Sequence, residues 1–144
     1  MQFWSFVKKL ERKFQKMLIS HQSPIVAQEY LPNIKNGDKR ILLLNGEIIG
    51  YFNRIPAQGK ITSNLATGGR AEKTTLTNKE REICTFIAQD LKALGMYFVG
   101  IDIIDEKITE INNTSPTGVQ NINRLYGVKT EEKIVDFLEN CADN

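Results

Sequence analysis

The chain has 144 residues, 41% of them apolar and 25% charged, and its 19 Lys+Arg against 17 Asp+Glu leave a formal charge of +2. This is the profile of one soluble globular domain able to bury a core unaided; it excludes a disordered polymer and names no polybasic nucleic-acid binder. Two cysteines, Cys84 and Cys141, without CxxC spacing and a single His21 exclude a Cys/His zinc site and fit a reduced, cytoplasmic protein.

Phe3, Phe6, Val7, Leu10, Phe14, Met17 and Leu18 recur at helical spacing, which predicts an amphipathic helix over residues 2–20. Lys8, Lys9, Arg12, Lys13 and Lys16 read as its solvated face, since no aromatic residues are interleaved with them on the polar side as a nucleic-acid surface requires. Met1 to Leu10 is too broken by polar residues for a signal peptide, and the longest apolar run, Ile41 to Leu44, is too short to span lipid. Neither a nucleic acid nor a membrane is expected as a partner. Ser23-Pro24 ends the helix, and Ile25 to Tyr30 reads as a short strand closed by Leu31-Pro32.

Asp38 to Leu44 and Ile48 to Arg54 flank Asn45-Gly46, a pair suited to the positive φ angles of a type I′ turn, so a β-hairpin is predicted. From Ile55 to Thr75 the chain is polar and small, with Gly59, Gly68 and Gly69, and reads as a loop longer than most connections inside a domain. Thr77 with Glu80 forms a capping box, and Ile83, Ile87, Leu91 and Leu94 then share one face, predicting a helix over 78–94 stopped by Gly95. Tyr97 to Ile103 and Lys107 to Asn112 form a second strand pair. Ser115-Pro116-Thr117-Gly118 begins a short helix ending near Gly127, and Thr130 to Glu139 is the last helix. The expected fold is α+β, a mainly antiparallel sheet with flanking helices.

Asp102 sits on one strand of the second pair, while Glu110 and Asn112, two apart, point to one face of the next. Two carboxylates and a neutral amide are hard oxygen ligands suited to Mg²⁺, which fills its octahedron with water and phosphate. Spacing alone leaves a second reading open, that these are solvated residues of an exposed sheet face. Arg40 and Arg54 stand on the first hairpin, where guanidinium forks grip phosphate or carboxylate, although an Asp38–Arg40 ion pair fits the spacing equally. The loop with Asn64, Gly68, Gly69 and Arg70 reads as a water-excluding lid or as a plain surface loop. Ser115 and Thr117 precede a helix and serve either an anion or a helix cap. No GxxxxGK[ST], GxSxG or HExxH string occurs, which removes the P-loop, serine-hydrolase and zincin readings.

The blocks Ala27-Gln28-Glu29-Tyr30-Leu31-Pro32, Gly37-Asp38-Lys39-Arg40, Ala66-Thr67-Gly68-Gly69-Arg70, Val99-Gly100-Ile101-Asp102-Ile103-Ile104 and Thr109-Glu110-Ile111-Asn112-Asn113-Thr114-Ser115-Pro116-Thr117 appear in this order. In that order and spacing they resemble the carboxy-terminal part of bacterial glutathione synthetases, in the ATP-grasp superfamily, over roughly residues 20–118. The resemblance implies an ATP-grasp carboxy-terminal domain over 31–144, and a remnant of the small ATP-grasp subdomain, amphipathic helix and hinge strand, over 1–30.

It also implies ATP-dependent ligation of γ-glutamylcysteine to glycine through an acyl phosphate, with ATP and Mg²⁺ as cofactors. By the same resemblance Asp102, Glu110 and Asn112 hold metal; Gln28, Glu29, Tyr30 and Leu31 meet adenine or ribose; Asp38 lies by the nucleotide. Arg40 and Arg54 serve the phosphates and acyl group, Asn64 and Arg70 lie near the reacting centre, and Ser115 and Thr117 meet the peptide. Asn113 and Ala71 depart from the family pattern. Nothing here corresponds to the family's amino-terminal substrate domain or glycine-rich phosphate loop. The implied enzyme is therefore incomplete as this chain alone, calling for a complementary polypeptide or homo-oligomer. Two alternatives are another ATP-grasp carboxylate-amine ligase and a non-catalytic interaction module docking through Phe3, Phe6, Leu10 and Phe14.

Overall fold

Asn45 and Gly46 both adopt positive φ, 49° and 82°, the two-residue turn that an Asn-Gly pair favours. It joins β1 (Asp38–Leu44) to β2 (Glu47–Ile55). The structure is a computed structural model describing residues 2–21, 28–60, 62, 63, 65 and 68–142. A second two-residue turn, Asp105-Glu106, has φ of 53° and 57° without any glycine and joins β4 (Phe98–Ile104) to β5 (Lys107–Asn112). A short strand, β3 (Arg70–Glu72), pairs with the end of β2. The five strands form one sheet in the order β3-β2-β1-β4-β5, every pairing antiparallel.

Helices cover both faces. The capping box forms as the sequence predicts, with the Thr77 hydroxyl accepting from the Glu80 amide and the Glu80 carboxylate accepting from the Thr77 amide. It starts α2 (Asn78–Ala93), labelled after α1 (Gln2–His21). Cys84 and Leu91 of α2 meet Ile41, Leu43, Val99, Ile101 and Ile103 of the sheet in one buried cluster. On the other face Leu42 and Phe52 pack with Ile122 of α3 (Val119–Tyr126). α3 ends at Gly127 in the left-handed region, and α4 (Thr130–Ala142) follows. Alternate residues of β1 thus serve two cores, which is why Ile41 to Leu44 is an unbroken apolar run.

By its contacts the chain divides into two compact units, Met1–Tyr30 and Leu31–Asn144. In the first, α1 leaves Leu10, Phe14, Met17 and Leu18 exposed. The expected strand at 25–30 does not appear where it can be seen: Gln28, Glu29 and Tyr30 belong to no regular element, and 25–27 lie outside the described residues. Pro32 opens a 3₁₀ helix, Pro32–Asn36, where proline's missing N–H is harmless. The 55–75 segment holds β3, too short to leave a periodic signal. Among the described residues no helix is long and apolar enough to cross a membrane.

Candidate functional site

Strand register assembles the site. Arg40 stands opposite Phe52 on one side and Asp102 on the other; Asp102 in turn faces Glu110 across β4 and β5. Two residue pairs along, Asp38 faces Arg54; two pairs the other way, Leu42 faces Gly100, and Gly100 faces Asn112. Cross-strand partners share a face, so Asp38, Arg40, Arg54, Asp102, Glu110 and Asn112 lie on the α3 side of the sheet.

The charges there are deeply placed: Asp38 is 7% exposed, Arg40 5% and Asp102 2%. Arg40 grips Asp102 in bidentate fashion, Nε donating to Oδ1 and Nη2 to Oδ2 at 2.9 Å. Its third donor, Nη1, reaches the Thr117 carbonyl at 3.3 Å. This guanidinium crosses directly over Gly100, where a Cβ would lie 3.1 Å from Nη1 and 3.4 Å from Cδ. Arg54 bridges two carboxylates, donating from Nη2 to Asp38 Oδ2 and lying 2.6 Å from Asp102 Oδ2. Ser63 donates its hydroxyl to Asp38 Oδ2 at 2.8 Å. Asp38 Oδ1 and Arg54 Nε are buried without a hydrogen-bond partner among the described residues, an arrangement that leaves one acceptor and one donor for a further group.

A cavity of about 270 Å³ opens beside this cluster, lined by Arg40, Phe52, Arg54, Leu65, Thr117, Gly118 and Asn121. Two guanidinium groups on its wall suit an anion.

Burial pushes the Asp38 carboxyl above its ordinary range, and the neighbouring Asp102 carboxylate adds to the rise, while Arg54 and Ser63 only partly hold it down. Burial works against the Arg54 charge, but the Asp38 and Asp102 carboxylates outweigh it and hold the guanidinium more firmly protonated. A carboxyl whose pKa is higher folded than unfolded keeps its proton longer in the folded state. The stability it gives is therefore full below the unfolded value, 3.8, and is lost as pH rises through the raised folded value. Asp38→Asn carries no such titration. Measured by urea denaturation, the stability of the native chain relative to Asp38→Asn is expected to fall between pH 3.5 and neutrality; a relative rise would contradict the assignment.

The remaining candidates divide. Glu110 is exposed beside buried Asp102, and Asn112 is half-buried, its Oδ1 accepting from the Ser115 amide at 3.3 Å. Ser115 and Thr117 are exposed on the β5–α3 loop, Thr117 meeting the cluster through its carbonyl. Arg70 is not brought in: its neighbour Ala71 faces Arg54, so strand alternation puts Arg70 on the opposite sheet face, paired with Glu72. Gln28, Glu29 and Tyr30 are exposed at the end of the first unit, and Leu31 begins the second. Asn64 lies outside the described residues. The Asp38–Arg40 ion pair that spacing allowed does not form; Asp38 pairs with Arg54, and Arg40 with Asp102. Ser63, Gly100 as the bed of Arg40 and Gly118 as a cavity wall were not singled out for these roles. Ser63 gives no local signal, whereas Gly100 is legible as a glycine two residues before a buried acid.

The donor chemistry fits Mg²⁺ in part. Glu110 and Asn112 offer hard oxygens, but both Asp102 oxygens already accept from guanidinium groups, so Asp102 would reach a metal only through its remaining lone pairs. No group of three or more His, Cys, Asp or Glu able to hold a metal occurs among the described residues; Mg²⁺ ordinarily takes one or two protein carboxylates and completes its octahedron with water and phosphate oxygens.

The family model described as "Prokaryotic glutathione synthetase, ATP-grasp domain" matches residues 7–127. Glutathione synthetases of Prochlorococcus marinus, Synechocystis sp. and Bradyrhizobium diazoefficiens are similar at 50%, 47% and 45% identity, over 81%, 90% and 88% of this chain. The same alignments cover only 38%, 42% and 40% of those proteins, so the chain spans about two fifths of their length. A solved ATP-grasp ligase, PsnB, complexed with precursor peptide PsnA2 and AMPPNP, aligns with a TM-score of 0.51 at 15% identity, covering 75% of this chain and 33% of that one. That likeness concerns the fold.

Proposed function

The chain belongs to the prokaryotic glutathione synthetase ATP-grasp family, and on that premise we propose that it supplies a magnesium-nucleotide and acyl-phosphate site for ligating γ-glutamylcysteine to glycine. The observation that carries this is the buried Arg40–Asp102–Arg54 cluster, with Glu110 and Asn112 on its flank, beside a cavity of about 270 Å³. The complete reaction belongs to the longer proteins of which the chain spans two fifths.

In that reaction the substrate carboxylate takes the γ-phosphoryl group of ATP, releasing ADP. The amine of glycine then displaces phosphate from the acyl carbon to form the amide. Bound Mg²⁺ would neutralise phosphate charge, held by Glu110, Asn112 and the free lone pairs of Asp102. Arg40 and Arg54, fixed by buried carboxylates, present their remaining donors to the cavity and stabilise anionic oxygens without reorganising. Asp38, pinned by Ser63, orients Arg54 and faces the nucleotide. Ser115 and Thr117 offer hydroxyls to the peptide. The segment with Leu65 and Asn64 keeps water from the acyl phosphate. By family resemblance Gln28, Glu29, Tyr30 and Leu31 are the adenine-facing stretch. Arg70, on the other sheet face and paired with Glu72, is left outside this proposed centre.

Paramagnetic broadening tests the metal position. Mn²⁺ added with ADP is expected to broaden the amide resonances of Gly100, Asp102, Glu110 and Asn112 first. Broadening that begins elsewhere in Leu31–Asn144 and spares these four would remove the metal from this sheet face.

A further inference from the structure

Asp38 Oδ1 and Arg54 Nε, both buried without a partner among the described residues, belong to one ion pair. A carboxylate that meets a guanidinium side-on satisfies both of its oxygens with two parallel bonds. The neighbouring pair does this: Asp102 takes Nε and Nη2 of Arg40, one on each oxygen. Asp38 and Arg54 could satisfy their two orphaned atoms on each other in the same way. Instead they meet end-on, through the single contact of Arg54 Nη2 with Asp38 Oδ2. A hydrogen bond forgone in a buried site needs a cause.

Ser63 supplies the cause. Its hydroxyl donates at 2.8 Å to Asp38 Oδ2, the oxygen that Arg54 also uses. Turning the carboxylate side-on to Arg54 would draw Oδ2 off that hydroxyl and strand it, in a residue only 6% exposed. At the other end Asp102 Oδ2 lies 2.6 Å from the same Nη2, so both carboxylates draw on one nitrogen of Arg54. We infer that Ser63 is a positioning residue of the site: through its hydroxyl it holds Asp38 end-on, leaving the remainder of the Arg54 fork for an anion in the cavity that Arg54 lines. The use made of those donors rests on the phosphate and acyl-group role proposed above for Arg54; the hold of Ser63 on Asp38 does not. Leu65, two residues further on, packs against the Leu42–Phe52–Ile122 cluster and lines the same cavity. One stretch of chain thus forms part of the cavity wall and sets the arm beside it. A side-on Asp38 would instead compete with an incoming anion for the fork.

The Nε–H resonance of Arg54 reports the arrangement with no ligand present, and is assigned in the nitrogen-labelled 144-residue chain by its absence from Arg54→Lys. In Ser63→Ala the carboxylate is free to turn side-on. The Nε proton should then move downfield, and its exchange with water should slow on the order of tenfold, the worth of one hydrogen bond to a charged group. The urea midpoint should be kept, because Asp38 exchanges the hydroxyl for Nε. Ser63→Thr, which retains the hydroxyl, should retain the native signal. With magnesium present, ADP titrated against the same resonance should bind Ser63→Ala on the order of tenfold more weakly than the native chain. A native signal that ignores ADP would remove the phosphate role of Arg54, while the ligand-free comparison still decides whether Ser63 holds Asp38. An Nε proton unmoved in Ser63→Ala, with or without a lowered midpoint, or displaced equally in Ser63→Thr, would overturn the inference. Equal ADP affinities despite a displaced Nε proton would overturn it too.

Discussion

Asp102→Ala is expected to destabilise the Leu31–Asn144 unit by about 3–5 kcal/mol, because it removes the carboxylate that pairs two largely buried guanidinium groups. Arg40 would lose both arms of its bidentate pair, and Arg54 would keep only Asp38. Such a loss is a large share of the roughly 5–15 kcal/mol that holds a typical domain. In urea the midpoint should drop by more than about 1 M at ordinary slopes. Glu110→Ala, on the next strand but exposed, should change the stability by no more than about 0.5 kcal/mol. Equal effects of the two substitutions would show that the cluster is not the buried, mutually dependent unit its geometry implies. Well-packed apolar residues of the same volume commonly hold a fold at least as well as buried charges, so the proposed anionic ligand would account for the cluster better than stability does.

Gly118→Ala should be nearly as damaging, at about 3 kcal/mol, by adding two separate costs. Gly118 sits at φ 131°, which side chains rarely adopt, and a Cβ there would come within 2.7 Å of Phe52 Cε1. Phe52 is 1% exposed, so its packed ring, or the loop that starts α3 and walls the cavity, would have to shift. Gly127→Ala separates the two terms: its φ is 70°, but nothing lies within 4 Å of the added carbon. It should therefore cost only about 1 kcal/mol in urea denaturation. Comparable losses at both glycines would mean that close packing against Phe52 contributes little.

These positions also show how far sequence reaches. Asn45-Gly46 and the Thr77–Glu80 box are local devices whose geometry is complete within four residues, and both form as their residues require. Asp105-Glu106 builds an equivalent turn without glycine, so only the apolar pattern on either side announced it. β3 has three residues and exists because β2 offers it an edge, which no window of its own sequence contains. The same boundary runs through the site. That Asp102, Glu110 and Asn112 share a face follows from strand alternation, and the paired strands bear it out. Which cation meets which carboxylate does not follow, because it depends on β1 lying between β2 and β4. That order sets Arg40 against Asp102 and Arg54 against Asp38, 62 and 16 residues apart in sequence, where spacing alone allowed Asp38 with Arg40 equally. Arg70 lies away from the cluster for a related reason: one step along an edge strand turns a side chain to the other face.

The most direct test of the proposed site is a calorimetric titration of ADP into the purified chain with magnesium, with EDTA in its place, and with Glu110→Gln. Saturable binding that needs magnesium and disappears in Glu110→Gln, while the variant keeps its urea midpoint, is the expected result. Absence of binding to the folded native chain, or binding indifferent to both magnesium and Glu110, would contradict a magnesium-nucleotide site on this face of the sheet.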